Sequence, residues 1–214
     1  MSETAVIFDL GRVLLEWFPE RAIEQALPAS QVPAFFERVG FFAWNAKLDA
    51  GGSFAEAEQE LVARFPGDRE AILAYRRNFD LTVPGYVPGT PALIDTLRQH
   101  GVRIGALSNW SGETFAGVRH RFAVLGWFDA LVISGIDAVL KPDPASFALA
   151  CERLGVEPAD AVFIDDSVVN VAAAQAFGLT ALLFTGAERL RVDLAALGLP
   201  VPTSLDAVGS ESAS

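Results

Sequence analysis

The chain has one cysteine, Cys151, two histidines, His100 and His120, and no apolar run long enough to span a membrane. A lone cysteine excludes an intramolecular disulfide and any cysteine-based metal cluster. His100 and His120 fall near helix ends beside basic or polar neighbours, without ligand-like company. Basic residues are scarce: 16 Lys and Arg against 27 Asp and Glu leave a formal charge of −11. A phosphate backbone repels such a surface, which sets nucleic acid aside as a partner. A small anionic molecule, by contrast, needs only a local positive site. The first residues lack the basic-then-apolar signature of a secretory signal, and no segment repeats another. The expectation is a soluble cytoplasmic protein, monomer or homodimer, with no membrane partner. What is abundant is apolar surface, 51% of 214 residues, enough for a sizeable core.

Short apolar runs at 5–8, 102–107, 130–133, 161–164 and 180–184 alternate with helical patterns. This alternation predicts an α/β fold, a Rossmann-like doubly wound parallel sheet whose strands are covered on both faces. The helices carry start and stop signals. Thr90-Pro91 reads as N-cap and first residue of a helix closed by Gly101. Asp143-Pro144 opens another that places Phe147, Cys151 and Leu154 at helical spacing before Gly155, making Cys151 an inert core residue. A third runs from about Ser167 to Gly178.

Residues 16–84 break the rhythm, with helical patterns and no convincing strand. Ser53-Phe54-Ala55-Glu56 reads as a capping box, Asp68 as the cap of the next helix, and Ile72, Tyr75 and Phe79 as its stripe. Glu58-Gln59-Glu60 reads as a solvated face. The expected organisation is a core from 1–15 and 85–200, an all-helical cap at 16–84, and a tail at 201–214. The stretch 83–89 would be the return hinge, and 209–214 would fray.

Polar groups collect where the apolar runs end: Asp9, Ser108-Asn109, Ser134, Asp165-Asp166 and Thr185. Ligands of open parallel sheets bind beyond the carboxyl ends of the strands, so these groups would share one pocket. Asp9, Asp165 and Asp166 would repel one another there unless a cation intervenes. Hard oxygen donors without His or Cys favour Mg²⁺ over zinc.

Four stretches then stand out together: Phe8-Asp9-Leu10-Gly11-Arg12-Val13-Leu14, Leu107-Ser108-Asn109, Lys141-Pro142-Asp143-Pro144 and Phe163-Ile164-Asp165-Asp166-Ser167. In order, spacing and post-strand placement they resemble the four motifs of the haloacid-dehalogenase superfamily of hydrolases. The likeness runs from residue 4 to about 197, with residues 16–84 resembling its helical cap. The Phe-Asp-Leu-Gly start and Leu-Ser-Asn turn are similar to the sugar-phosphate phosphatase branch that includes bacterial α-D-glucose-1-phosphate phosphatase. The resemblance implies a Mg²⁺-dependent phosphoric monoester hydrolase acting on a small phosphorylated metabolite. Asp9 would be the covalent nucleophile and Lys141 the charge-neutralising catalytic partner. Ser108 and Asn109, with the amides that follow at a helix start, would hold phosphate. The metal would sit on Asp9, Asp166 and the Gly11 carbonyl, with Asp165 reaching it through water.

One position departs from the pattern. The superfamily's phosphatases usually carry a second Asp, an acid and base, where this chain has Gly11, and Arg12 stands at the usual glycine. Such a group contributes on the order of a hundred- to ten-thousand-fold. Its absence keeps two alternatives open, a 2-haloacid dehalogenase and a catalytically weakened binding protein. The acidic pair 165–166 argues against the first, since dehalogenases of this superfamily have uncharged residues there. Arg12 either reaches substrate phosphate or pairs with an acid and points away. Trp110 is a candidate substrate contact, whereas Trp44, Phe41 and Phe42 read as packing.

Overall fold

The apolar runs become five parallel strands in a computed structural model that describes residues 4–205. They are β1 (Ala5–Phe8), β2 (Arg103–Ser108), β3 (Ala130–Ile133), β4 (Ala161–Asp165) and β5 (Thr180–Leu183), in the spatial order β3-β2-β1-β4-β5. β1 is central: the chain moves outward through β2 and β3, then crosses back to lay β4 and β5 on the other side. The strand order therefore reverses beside β1, where such sheets open a crevice. Register pairs Ala5 with Arg103 and with Ala161, and the Asp9 amide bonds the Ile164 carbonyl at 2.8 Å. The ends of β1 and β4 are thereby tied together.

Between β1 and the next core helix lie six helices: α1 (Glu20–Ile23), α2 (Val32–Val39), α3 (Phe41–Asp49), α4 (Phe54–Arg64), α5 (Arg69–Arg77) and α6 (Phe79–Thr82). The core adds α7 (Thr90–Gln99), α8 (Gly112–Val118), α9 (Ser134–Asp137), α10 (Pro144–Leu154), α11 (Val168–Phe177) and α12 (Ala187–Ala196). Strand alternation sorts the packing. Val6 and Phe8 face Leu93, Ile94 and Leu97 of α7 and Leu190 and Leu194 of α12, while Ala5 and Ile7 face α10 and α11 through Phe147, Leu154 and Ala174. The helical insert shares the first of these cores through Phe35, Phe41, Trp44 and Tyr75. Its two connections lie side by side, with Glu16 N–H bonding the Gly85 carbonyl at 3.0 Å and Val87 N–H the Leu14 carbonyl at 2.8 Å. Among the described residues, no helix is long and apolar enough to cross a membrane.

Several local expectations are corrected. Thr90 is the first helical residue rather than the cap; Gly89, at φ +85°, holds the cap position. A residue with a side chain would collide there with Ala187 and Leu205, which explains the glycine. Asp68 makes no capping bond, because Arg38 takes both its oxygens at 2.9 and 2.6 Å. Phe79 opens α6 beyond Asn78 instead of continuing α5. Glu58 is buried, paired with Arg76 at 3.0 Å, where a solvated face was expected. Thr180 and Leu183 are exposed, at the two ends of the edge strand β5. In the tail, Val201 and Leu205 pack against the core; the frayed stretch expected at 209–214 lies outside the described residues.

Candidate active site

Each strand that reaches the crevice stops at a polar residue because the buried apolar slab ends there. Asp9 follows β1, Ser108 ends β2, Asp165 ends β4 and Asp166 follows it. Lys141 comes from the loop before α10, and its backbone is clamped by Asn109. The Asn109 amide donates to the Lys141 carbonyl and accepts from the Lys141 N–H, both at 2.9 Å. The Lys141 side chain is buried and reaches Asp165 Oδ2 at 2.6 Å and Asp9 Oδ1 at 3.0 Å. Asp165 also accepts from Ser167 N–H at 2.8 Å and from the Asn170 amide at 3.0 and 3.1 Å. Asp9 Oδ1 accepts from the Leu10 amide at 2.7 Å.

The electrostatics follow from burial. Desolvation pushes the Asp9 carboxyl up to about 6, although Lys141 opposes it; the charge of Asp165 adds to the rise. Burial also raises Asp166, helped by Asp165 and opposed by Arg12. Burial alone would lower the Lys141 ammonium, but Asp9 and Asp165 outweigh it and hold the group above its ordinary value. Lys141 therefore stays charged. Oxygens of Asp9, Asp165 and Asp166 lie within 4.8 Å of one another, so three carboxylates face a single buried ammonium. A further cation fits this donor set: the charge of Asp165 adds to the burial that raises Asp9 and Asp166, and all the donors are hard oxygens.

Asp9, Gly11, Arg12, Ser108, Asn109, Trp110, Lys141 and Asp166 all line one cavity of about 160 Å³. Asp165 lies behind it, fully buried, its oxygens engaged by Lys141, Asn170 and Ser167. Two of the amides after Ser108 are engaged: Trp110 N–H bonds Ser134 Oγ at 2.9 Å and Ser111 N–H bonds Asp49 Oδ1 at 3.1 Å. The Asn109 side chain, spent on Lys141, positions the lysine. Arg12 faces the cavity with its guanidinium 5.0 Å above the Trp17 ring.

Sequence reasoning missed the other half of the lining. Trp17, Asn45, Asp49, Tyr75 and Phe79 reach the cavity from the insert, and Asn170 from α11. Asp49 ends α3, and its second oxygen accepts from the Asn45 amide at 2.8 Å; Asn45 in turn accepts from Tyr75 Oη at 2.9 Å. Burial pushes the Asp49 carboxyl up to about 7, with the Ser111 amide opposing and the Asp9 charge adding. One signal was available: an acidic residue at a helix C-terminus faces the wrong end of the helix dipole. Asn45 and Tyr75 carry no comparable mark, because α3 and α5 bring them together only on folding.

The profile of the haloacid dehalogenase-like hydrolases matches residues 4–178. Phosphoglycolate phosphatase of Cupriavidus necator is 28% identical over 211 residues, 96% of this chain and 88% of that protein. Flavin mononucleotide hydrolase 1 of Arabidopsis thaliana is 32% identical over 116 residues, 54% of this chain and only about half, 47%, of its own length. Among solved structures, a haloacid-dehalogenase-family enzyme of Bacteroides thetaiotaomicron in complex with magnesium and inorganic phosphate superposes with a TM-score of 0.62 at 22% identity. That match covers 86% of this chain and 94% of the other.

Proposed function

Because the chain belongs to the haloacid dehalogenase-like hydrolases, we propose that it is a Mg²⁺-dependent phosphatase of a small phosphorylated metabolite, with Asp9 as nucleophile. The observation that carries this reading is the Asp9–Lys141–Asp165 chain at 3.0 and 2.6 Å, beside Asp166 on the cavity wall. Such an acidic cavity accepts a phosphate dianion only if cations outnumber the site's free charges. Lys141 and Arg12 supply part of that charge. Asp9, Asp166 and the Gly11 carbonyl would hold Mg²⁺, which screens the nucleophile from the substrate and draws charge off the phosphoryl oxygens.

The residues then divide the work. Asp9 attacks phosphorus and becomes an aspartyl-phosphate, which water later opens. Lys141, anchored by Asp165 and by the Asn109 clamp, is a preorganised positive charge beside the attacking oxygen. Ser108 lines the phosphate end of the cavity. The aromatic walls Trp17, Tyr75, Phe79 and Trp110, with the polar groups of Asn45 and Arg12, suit a compact polar body such as a sugar. The names of the phosphoglycolate phosphatase and flavin mononucleotide hydrolase relatives support phosphate chemistry. The helical insert is read as a cap that excludes water during transfer.

A panel of sugar phosphates, nucleotides and acyl phosphates, assayed with Mg²⁺ and with excess chelator, tests the reading. Turnover is expected only with the metal, and Asp9→Asn is expected to abolish it while the fold persists by circular dichroism. Wild-type-like turnover in Asp9→Asn, or halide release from a haloacid in chelator, would overturn it.

A further inference from the structure

Gly11 leaves the nucleophile without the usual neighbouring carboxylate, yet the cavity contains another acidic group of a different origin. We propose that Asp49, delivered by the helical insert, is the general acid and base of this site. The proposal rests on the phosphatase reading above.

Asp49 lines the same cavity as Asp9 and Gly11, and it comes from the end of α3 in the helical insert. Its two oxygens are held by neutral donors, the Ser111 amide at 3.1 Å and the Asn45 amide at 2.8 Å. Among the described residues, no Lys, Arg or His pairs with it. A carboxylate that merely seated the insert on the core would be an expensive choice. The contact from Ser134 Oγ, at 2.5 Å, goes to the Asp49 backbone carbonyl, and an asparagine side chain could accept the Ser111 bond without charge. Over an amide, the carboxyl adds a second acceptor, used by the Asn45 amide, and an exchangeable proton. Burial holds that proton to about 7, near neutrality, where a group can both give and take one. On the Gly11 side, nothing lies within 4 Å of where a side chain would begin, which leaves room for a leaving group and then for water.

The steps balance. As Asp9 Oδ bonds phosphorus and the ester P–O bond breaks, protonated Asp49 gives its proton to the departing oxygen, releasing an alcohol. Water then attacks phosphorus, the P–O bond to Asp9 breaks, and the Asp49 carboxylate takes the water proton. Inorganic phosphate leaves and both residues return to their starting forms.

Substituted phenyl phosphates test this, because they keep one shape while the leaving group weakens from nitrophenol to phenol. Assayed with Mg²⁺, the wild-type chain is expected to show a shallow dependence of kcat/KM on leaving-group acidity. Asp49→Asn is expected to lose on the order of a hundredfold or more for phenyl phosphate and less than about tenfold for p-nitrophenyl phosphate. An equal loss for both esters, or none, would overturn the proposal. Should Asp49→Asn fail to fold, the wild-type series still decides, since a steep dependence there means that no acid acts. Turnover surviving Asp9→Asn would instead sink the parent reading, and this proposal with it. An inert Asp9→Asn beside a uniform loss in Asp49→Asn removes only the role of Asp49.

Discussion

Arg12 sits at φ +62°, a left-handed conformation that costs an ordinary residue about 1–2 kcal/mol. The superfamily pattern has glycine here. The guanidinium over Trp17 returns on the order of 0.5–1 kcal/mol, and its charge helps to hold Asp166 ionised. Strain is thus kept in exchange for a positive charge on the cavity wall. Asp49 shows the reverse bargain, a carboxyl held away from water. Its folded-state value of about 7 stands above the ordinary 3.8, so the folded chain keeps a proton that the unfolded chain has already released. That contribution to stability is full below about pH 4 and is lost as pH rises through 7. In metal-free melts, the Tm of Asp49→Asn minus that of wild type is therefore expected to grow from about pH 4 to about pH 8. A difference independent of pH would mean that Asp49 is already ionised, with Asp9 and Tyr75, its charged and titratable neighbours, failing to disfavour it.

At the scale of elements, the loop after β2 and the start of α9 approach as closely as backbones can. A side chain on Gly135 would begin 2.4 Å from the Gly112 nitrogen and 2.8 Å from the Trp110 carbonyl oxygen. The approach allows Gly135 N–H to bond the Trp110 carbonyl at 3.0 Å and lets Ser134 Oγ meet both the Trp110 amide and the Asp49 carbonyl. Glycine there brings the insert, β2 and β3 to a single point. Gly135→Ala is expected to cost about 1–3 kcal/mol, read as a lower urea midpoint. Gly117→Ala in the neighbouring helix α8, with nothing within 4 Å, is expected to be neutral or to stabilise by up to about 1 kcal/mol. Equal effects at the two sites would refute the close-approach argument.

For the whole molecule, the cavity exists only because the insert closes over the sheet's open end. Contacts across that seam include Ser111 N–H to Asp49, Ser134 Oγ to the Asp49 carbonyl, Phe54 N–H to Glu113 at 3.0 Å, Arg76 to Glu113 at 3.6 Å and the ring contact of Phe79 with Trp110, beside the shared apolar core. Asp9 and Asp166 come from two strands of the core, so metal binding would report on that core as a unit. Mg²⁺ at a hundred times its Kd is expected to stabilise the chain by about 2.7 kcal/mol through linkage. Thermal melts with and without the ion should show a rise in Tm that Asp166→Ala removes. An equal rise in that variant would place the ion elsewhere.

Apolar runs bounded by turn residues sufficed to locate the five strands along the chain, because a strand buried on both faces must be apolar throughout. Only β5 departs, an edge strand paired with β4 alone that exposes Thr180 and Leu183. Helix ends marked by Asp143, Ser167, Gly155 and Gly178 were equally legible, each being a local backbone problem with a local solution. The same holds for Asp9, Ser108, Lys141 and Asp166, which the chain presents directly after its strands or in a short motif. Tertiary structure alone decided how the charges are shared. Asp165 turns inward to hold Lys141 and Asn170, and the Asn109 side chain, though it lines the cavity, is spent on clamping the lysine backbone. It alone also linked Asp49 and Asn45 to Tyr75 and brought them into the same cavity as Asp9. A carboxyl's surroundings set its proton affinity, and those surroundings come from segments far apart in the chain.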